Sequence, residues 1–182
     1  MRALLALREH PAGIAARPGN RVVYDLAADA AIFGAASVAG PALSWELLAG
    51  NDEAAGASLA AGVELDDARQ WLMRCDRVDF PPGAIAYRHT HPGPGIRRLL
   101  FGELTITTGG TTTTYRAGGA WFESGPEPVY AESSAAEESA FVRVMLLPAE
   151  WAGRRTIRYT DPADADRHAR QRARVFLEEP LG

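Results

Sequence analysis

The residues with the most chemical capacity lie in one stretch, "YRHTHPGPGIRRLLFGE", Tyr87 to Glu103. His89 and His91 stand one residue apart, just before a proline-glycine turn. Neutral imidazoles projecting one strand step apart can grip a single transition metal. Arg97 and Arg98 follow, and a guanidinium fork suits bidentate recognition of carboxylate or phosphate. Downstream, "AWFES" offers Trp121 and Glu123, and "PVYAES" offers Tyr130 and Glu132. The chemistry on offer is therefore a metal centre, an anion site, or both.

The elements that position these groups read as strands. From Arg69 to Pro148, short runs rich in β-branched and aromatic residues alternate with turn signals: "QWLMRCDRVDF", "AIAYRHTH", "IRRLLFG", "ELTITTGGTTTTYRAGG", "AWFESG" and "FVRVMLLP". Strands this short and evenly punctuated predict a sandwich or barrel. Gly109-Gly110 predicts the turn of a threonine-rich hairpin. Period-two alternation puts Ile85 and Tyr87 on one face with His89 and His91, and Ala84 and Ala86 on the other with Arg88. An apolar face ending in two histidines is the expected interior of a barrel near its mouth. With Gly95 inward, Arg97 and Leu99 are inward too, and Arg98 is outward. Trp121 and Glu123 share a face opposite Phe122. A buried arginine must be paired, so Arg97 calls for a carboxylate, from Glu123 or from a ligand.

Before Arg69 the pattern is weaker. "NRVVYDLA" and "LSWELLAG" read as short strands, and "NDEAAGASLAAG" as a loop or short helix. After Pro148 come a strand-like "RTIRYT", a charged "DPADADRHARQRA" and a closing strand "RVFLEE". The expected organisation is one structural domain, with residues 1–68 an N-terminal extension packed on a barrel of residues 69–182.

Composition narrows the classes. The 47% apolar and 23% charged content is that of a soluble globular chain. A net charge of −4 argues against a nucleic-acid binder driven by bulk charge. The single cysteine, Cys75, excludes an intrachain disulfide and suits a reducing compartment, so a cytoplasmic location is expected. Neither the opening "MRALLALREHPAG" nor "AAIFGAASVAGPAL", broken by Pro41, is a signal peptide or a membrane span. All 19 basic residues are arginine, which removes any lysine Schiff base or lysine general base. No serine–histidine–acid triad, phosphate loop or paired-cysteine motif is visible.

On these residues the chain resembles the cupin superfamily. Its first motif runs glycine, five residues, H-x-H, a short gap, glutamate, six residues, glycine. Gly83, His89, His91 and Gly102 match it. "GGAWFESGPEPVYAES", with Gly119 opening and Gly125-Pro126 turning, matches the second motif in outline. The resemblance covers Arg69 to Pro148 and implies an all-β double-stranded β-helix, the cupin jelly-roll barrel, with an N-terminal extension and a C-terminal strand. It implies a metal held by the two histidines and glutamate of motif one and the histidine of motif two. Here the motif-one glutamate falls on Gly95, and the motif-two histidine falls near Pro128, Val129 or Tyr130. His10 and His168 are expected to face solvent. Either one divalent Fe, Mn, Ni or Zn ion is held by His89 and His91 with help from Glu123, Glu132 or Tyr130, or no metal is tightly bound.

Two function classes follow. One is a metal-dependent oxygenase, isomerase or lyase acting on a small, anionic organic ligand. In it Arg97 and Trp121 bind substrate while Glu123 and Tyr130 handle protons. The other is a non-catalytic binding or sensing protein using the same cavity. Closing exposed sheet edges makes a homodimer the expected assembly, with neither nucleic acid nor membrane as partner.

Overall fold

The computed structural model describes residues 1–49, 54–167 and 170–182. His168 and the first residues of "NDEAAGASLAAG" lie outside the described residues. The described chain is almost entirely antiparallel β-structure. The first seven strands are β1 (Arg2–His10), β2 (Ile14–Ala16), β3 (Arg21–Asp25), β4 (Ala30–Phe33), β5 (Ala36–Val38), β6 (Ala42–Ala49) and β7 (Leu59–Glu64). Then come β8 (Trp71–Phe80), β9 (Ile85–Thr90), β10 (Gly95–Phe101), β11 (Glu103–Thr108) and β12 (Thr111–Arg116). The last are β13 (Ala120–Glu123), β14 (Val129–Ser133), β15 (Ser139–Pro148), β16 (Arg158–Tyr159) and β17 (Arg172–Pro180). Short 3-10 turns at Ala149–Trp151 and Pro162–Asp166 are the only helical pieces among the described residues.

Strands β8 to β17 form two five-stranded sheets, ordered β13-β10-β15-β8-β17 and β12-β11-β14-β9-β16. The chain crosses between them at almost every turn. The inner four strands of each reproduce the two interleaved sheets of a jelly roll. In hydrogen bonding the expected barrel is thus two separate facing sheets. Leu99, Leu104, Ile106, Ala131 and Phe141 meet between them.

The first 64 residues contribute a third layer, ordered β4-β3-β6-β1-β7, with β2 and β5 as a separate pair. Leu5, Leu7, Val22, Leu43 and Trp45 of this sheet pack on Met73, Cys75, Ile96, Val142 and Val144 of the adjoining jelly-roll sheet. That covering explains why β15 is buried at every position: a layer lies on each face, so its sequence reads as an apolar run interrupted by Arg143. Leu59–Gly62, read from sequence as loop or helix, belongs instead to strand β7 along β1. His10 is also not a ragged-end residue. It closes strand β1, and its Nε2 lies 2.8 Å from the buried Ser44 hydroxyl.

The N-terminal layer also holds the last strand. Asp29 pairs with Arg77 at 3.3 Å and with Arg174 of β17, and the Tyr24 hydroxyl donates to Asp29. The Tyr24 and Phe176 rings meet edge-on at 5.5 Å. The two six-residue strands of the hairpin β11–β12 align as expected about Gly109-Gly110, whose φ angles of 55° and 76° favour glycine.

Candidate functional site

Along β8 the even-numbered residues face the second jelly-roll sheet, which puts Arg74, Asp76, Val78 and Phe80 in a row. On β15 Arg143 stands directly opposite Asp76, and Phe141 opposite Val78. The Arg143 guanidinium grips the carboxylate with both sides of its fork, Nε to Oδ1 at 2.6 Å and NH2 to Oδ2 at 3.1 Å. Both residues are buried. Neither was singled out from the sequence. The available signal was a charged residue inside each of two strongly apolar strands, at positions whose parity faces the same interior.

The facing sheet supplies the imidazoles. His89 is 5% and His91 4% exposed, and their rings meet edge-on at 4.9 Å. The face that carries them is not the one simple alternation predicts. Val129 pairs with His89, but Ala131 pairs with Ala86, so one extra residue is accommodated in β9 between them. This β-bulge reverses the parity of the strand. Ala84 and Ala86 are therefore the buried partners of the histidines, while Ile85 and Tyr87 point away and Tyr87 packs under Arg167.

The tautomers follow from the partners. His89 Nδ1 lies 2.6 Å from the Tyr87 carbonyl and His91 Nδ1 lies 3.3 Å from the Thr156 carbonyl. A carbonyl only accepts, so each Nδ1 carries the proton and each Nε2 keeps its lone pair. His91 Nε2 accepts from Arg143 NH1 at 3.3 Å. Among the described residues none hydrogen-bonds to His89 Nε2. Burial lowers the pKa of both rings below the usual 6.5, and the Arg143 and Arg97 charges push His91 well below it. Both are neutral at pH 7.

This depression has a measurable sign. Below 6.5 the unfolded histidines take up protons that the folded ones resist. The stability contributed by the two neutral rings is present above that pH and lost as pH falls beneath it. The expected slope approaches about 1.4 kcal/mol per pH unit for each ring. Chemical denaturation between about pH 8 and pH 5 measures it. A His89→Gln/His91→Gln double variant should flatten the curve in that window, and an unchanged slope would refute the assignment.

Arg97 is inward, as alternation predicts, and 1% exposed. It lies behind the cavity wall. Its NH2 forms an ion pair with Glu123 Oε2 at 2.6 Å, out of hydrogen-bond alignment, and its NH1 donates to the Gly95 carbonyl at 2.7 Å. Burial pushes its pKa down to about 10, and the Glu123 charge opposes that shift. Arg97 is therefore committed to Glu123 and not presented to a ligand. Glu123 also accepts from Trp121 Nε1 at 2.8 Å, and its Oε2 stands 3.7 Å from His91 Nε2. Trp121 lines the cavity, stacked on Tyr115 and edge-on to Phe141. Tyr130 is the clear correction. Strand β14 turns Val129 and Ala131 inward and Tyr130 and Glu132 outward, where the Tyr130 hydroxyl donates to Glu132 at 3.2 Å. Neither can serve the site.

The cavity enclosed by these groups has a volume of about 610 Å³. At one end stand His89, His91, Asp76, Arg143 and Glu123. Past them Val78, Ala86, Ile106, Ala131 and Phe141 form an apolar stretch of wall, while Arg74, Arg154, Arg155, Gln171 and Glu178 line the side toward β17. One side is lined by β17 and by residues 153–157. Arg74 pins the latter by donating to the Trp151 and Arg154 carbonyls, both at 2.8 Å.

A divalent metal does not fit this donor set. One of the two imidazole lone pairs already accepts from a guanidinium, and the nearest carboxylate is tied to Arg97 and Trp121. Protein metal sites with open positions still need three protein ligands. Among the described residues no three His, Cys, Asp or Glu side chains are grouped to hold an ion. A glutamate at position 95 is sterically barred, since even a Cβ there would lie 2.5 Å from the Val144 carbonyl oxygen. Elemental analysis of protein purified without added metal should find no stoichiometric iron, manganese, nickel or zinc. Stoichiometric metal that disappears in His89→Ala/His91→Ala would overturn this.

No protein-family model and no curated protein matches the sequence. Solved structures do resemble it. An RmlC-like cupin from Shewanella frigidimarina is 18% identical over 43% of this chain and 68% of its own, with a TM-score of 0.39. A cupin protein from Bacteroides fragilis is 19% identical over 47% of this chain and 80% of its own, with a TM-score of 0.38. The structures it resembles include cupins. AerE from Microcystis aeruginosa covers more of the chain, 80%, and 83% of itself, at 14% identity and a TM-score of 0.44. These likenesses concern fold only, and the jelly-roll assignment rests on the strand order described above. Among the described residues no helix is long and apolar enough to cross a membrane.

Proposed function

We propose that the protein binds a small organic acid in the cavity between its jelly-roll sheets and that His89 moves a proton on it. One observation carries this reading: buried, neutral His89, whose Nε2 no described residue bonds, shares one end of the cavity with the Arg143 guanidinium. Four of the five Arg143 N–H bonds are directed at Asp76, Thr156 and His91. The fifth, on NH1, is left for a ligand. Between them His89 and Arg143 present one lone pair and one cationic donor. Its complement is an oxygen that accepts from Arg143 beside an acidic O–H or C–H facing His89. A 2-oxo acid has both.

In such a complex Arg143 holds the carboxylate or keto oxygen and stabilises charge as it develops there. His89 Nε2 accepts the proton from the neighbouring carbon. The resulting imidazolium is supported by the Tyr87 carbonyl on Nδ1–H and by the nearby Glu123 charge. Returning the proton to another position completes an isomerisation, and loss of a neighbouring group completes an elimination.

Calorimetry with 2-oxoalkanoates tests binding, and deuterium incorporation at the carbon next to the keto group, followed by NMR in heavy water, tests proton transfer. Arg143→Lys keeps the charge against Asp76 but loses the fork, and should weaken binding by at least about tenfold. His89→Gln should still bind but exchange no deuterium. Binding without exchange in the native protein would favour the non-catalytic class. No binding at all would sink the proposal.

A further inference from the structure

The geometry points to a ligand with two polar ends, the second recognised by the carboxamide of Gln171. This rests on the assignment of His89 and Arg143 as the head-group site and deepens it. Gln171 lines the cavity, and both its Oε1 and its Nε2 are shielded from solvent with no hydrogen-bond partner. A buried amide without partners is costly, and structures seldom keep one with donor and acceptor both unmade. Arg97 NH2 and Glu123 Oε2, the other buried atoms lacking an aligned partner, at least face each other as an ion pair. Gln171 has no such counterpart among the described residues.

Its place in the register gives the unmade bonds a direction. Val175 of β17 lies opposite Asp76 and Ala173 opposite Val78. Gln171 is the next same-face position, beyond Ala173 in the direction of Phe80. The cavity wall therefore reads polar, apolar, polar in order: the Asp76–Arg143 layer, then Val78, Ala173 and Phe141, then the Gln171 amide. Four residues of strand separate Val175 from Gln171, roughly 13 Å along the wall. A carboxamide presents a donor and an acceptor side by side, so its complement is a group that does the same, an amide or lactam edge. The ligand class is a small acid whose apolar middle joins an oxygen-bearing head to an amide-type tail.

The test compares two series of 2-oxo acids of increasing chain length, one ending in methyl and one in a primary carboxamide, by calorimetry on the whole protein. At one chain length the carboxamide should bind about tenfold more tightly than its methyl counterpart, the value of one satisfied buried pair. Gln171→Leu should remove that preference and leave the methyl series unchanged. Its melting temperature should hold or rise, because the substitution removes two orphaned groups. Equal binding of the two series at every length overturns the tail assignment alone. So does a Gln171→Leu protein that melts lower or loses both series together. Failure of both series to bind the native protein overturns the head-group site and this inference with it.

Discussion

Arg143→Met should destabilise the fold by about 3–5 kcal/mol, the cost of stranding a buried carboxylate by removing its partner. Asp76 is 1% exposed, and among the described residues its carboxylate accepts hydrogen bonds from Arg143 alone. The double variant Asp76→Leu/Arg143→Met should recover most of that loss, because replacing a whole buried pair by apolar side chains of similar volume is often neutral or better. Denaturant titration checks both: the midpoint should fall in the single variant and return in the double, with the slope unchanged. Full recovery of stability without recovery of ligand binding would separate the two roles of the pair. A single variant as stable as the native protein would show that the carboxylate is not isolated from water.

Trp45→Ala should cost about 3–5 kcal/mol for a different reason. The side chain is fully buried between the N-terminal layer and the jelly roll, and its indole N–H donates to the Ile96 carbonyl at 3.1 Å. Truncation opens a hole between two sheets that cannot collapse without shifting, and it removes a buried hydrogen bond. For a chain of this size the melting temperature should drop by on the order of 10 °C. A drop of only a degree or two would mean that the N-terminal layer sits loosely on its neighbour.

Much of the jelly roll was legible. Strands β8, β10, β13 and β15, the glycine hairpin, the inward Arg97 and the shared face of Trp121 and Glu123 all follow from period-two alternation. What failed to read has specific causes. The bulge in β9 inserts a residue without any residue type that announces it, so alternation carried across it turns Ile85 and Tyr87 the wrong way while leaving both histidines correct. Tyr130 was named from its place in a degenerate motif, whereas the parity of β14 depends on register with β9 and β11, which a single sequence does not state. Arg143 and Asp76 are far apart in sequence, and each taken alone reads as an odd charge in an apolar strand. Only their pairing turns them into the cationic end of a cavity. The N-terminal layer reads only as an extension with two short strands, because alanine and glycine dominate it and blur its alternation.

The tie between Asp29 and Arg174, with Phe176 wedged against Tyr24, has one more consequence. The same strand whose far side walls the ligand chamber is clasped from behind by the opening third of the chain. That third acts as a brace. Anything that prises it from its seat, such as cleavage in the turn after Asp25 or a competing partner for Asp29, slackens the chamber. The departure rate of a bound molecule is where the slack would register first.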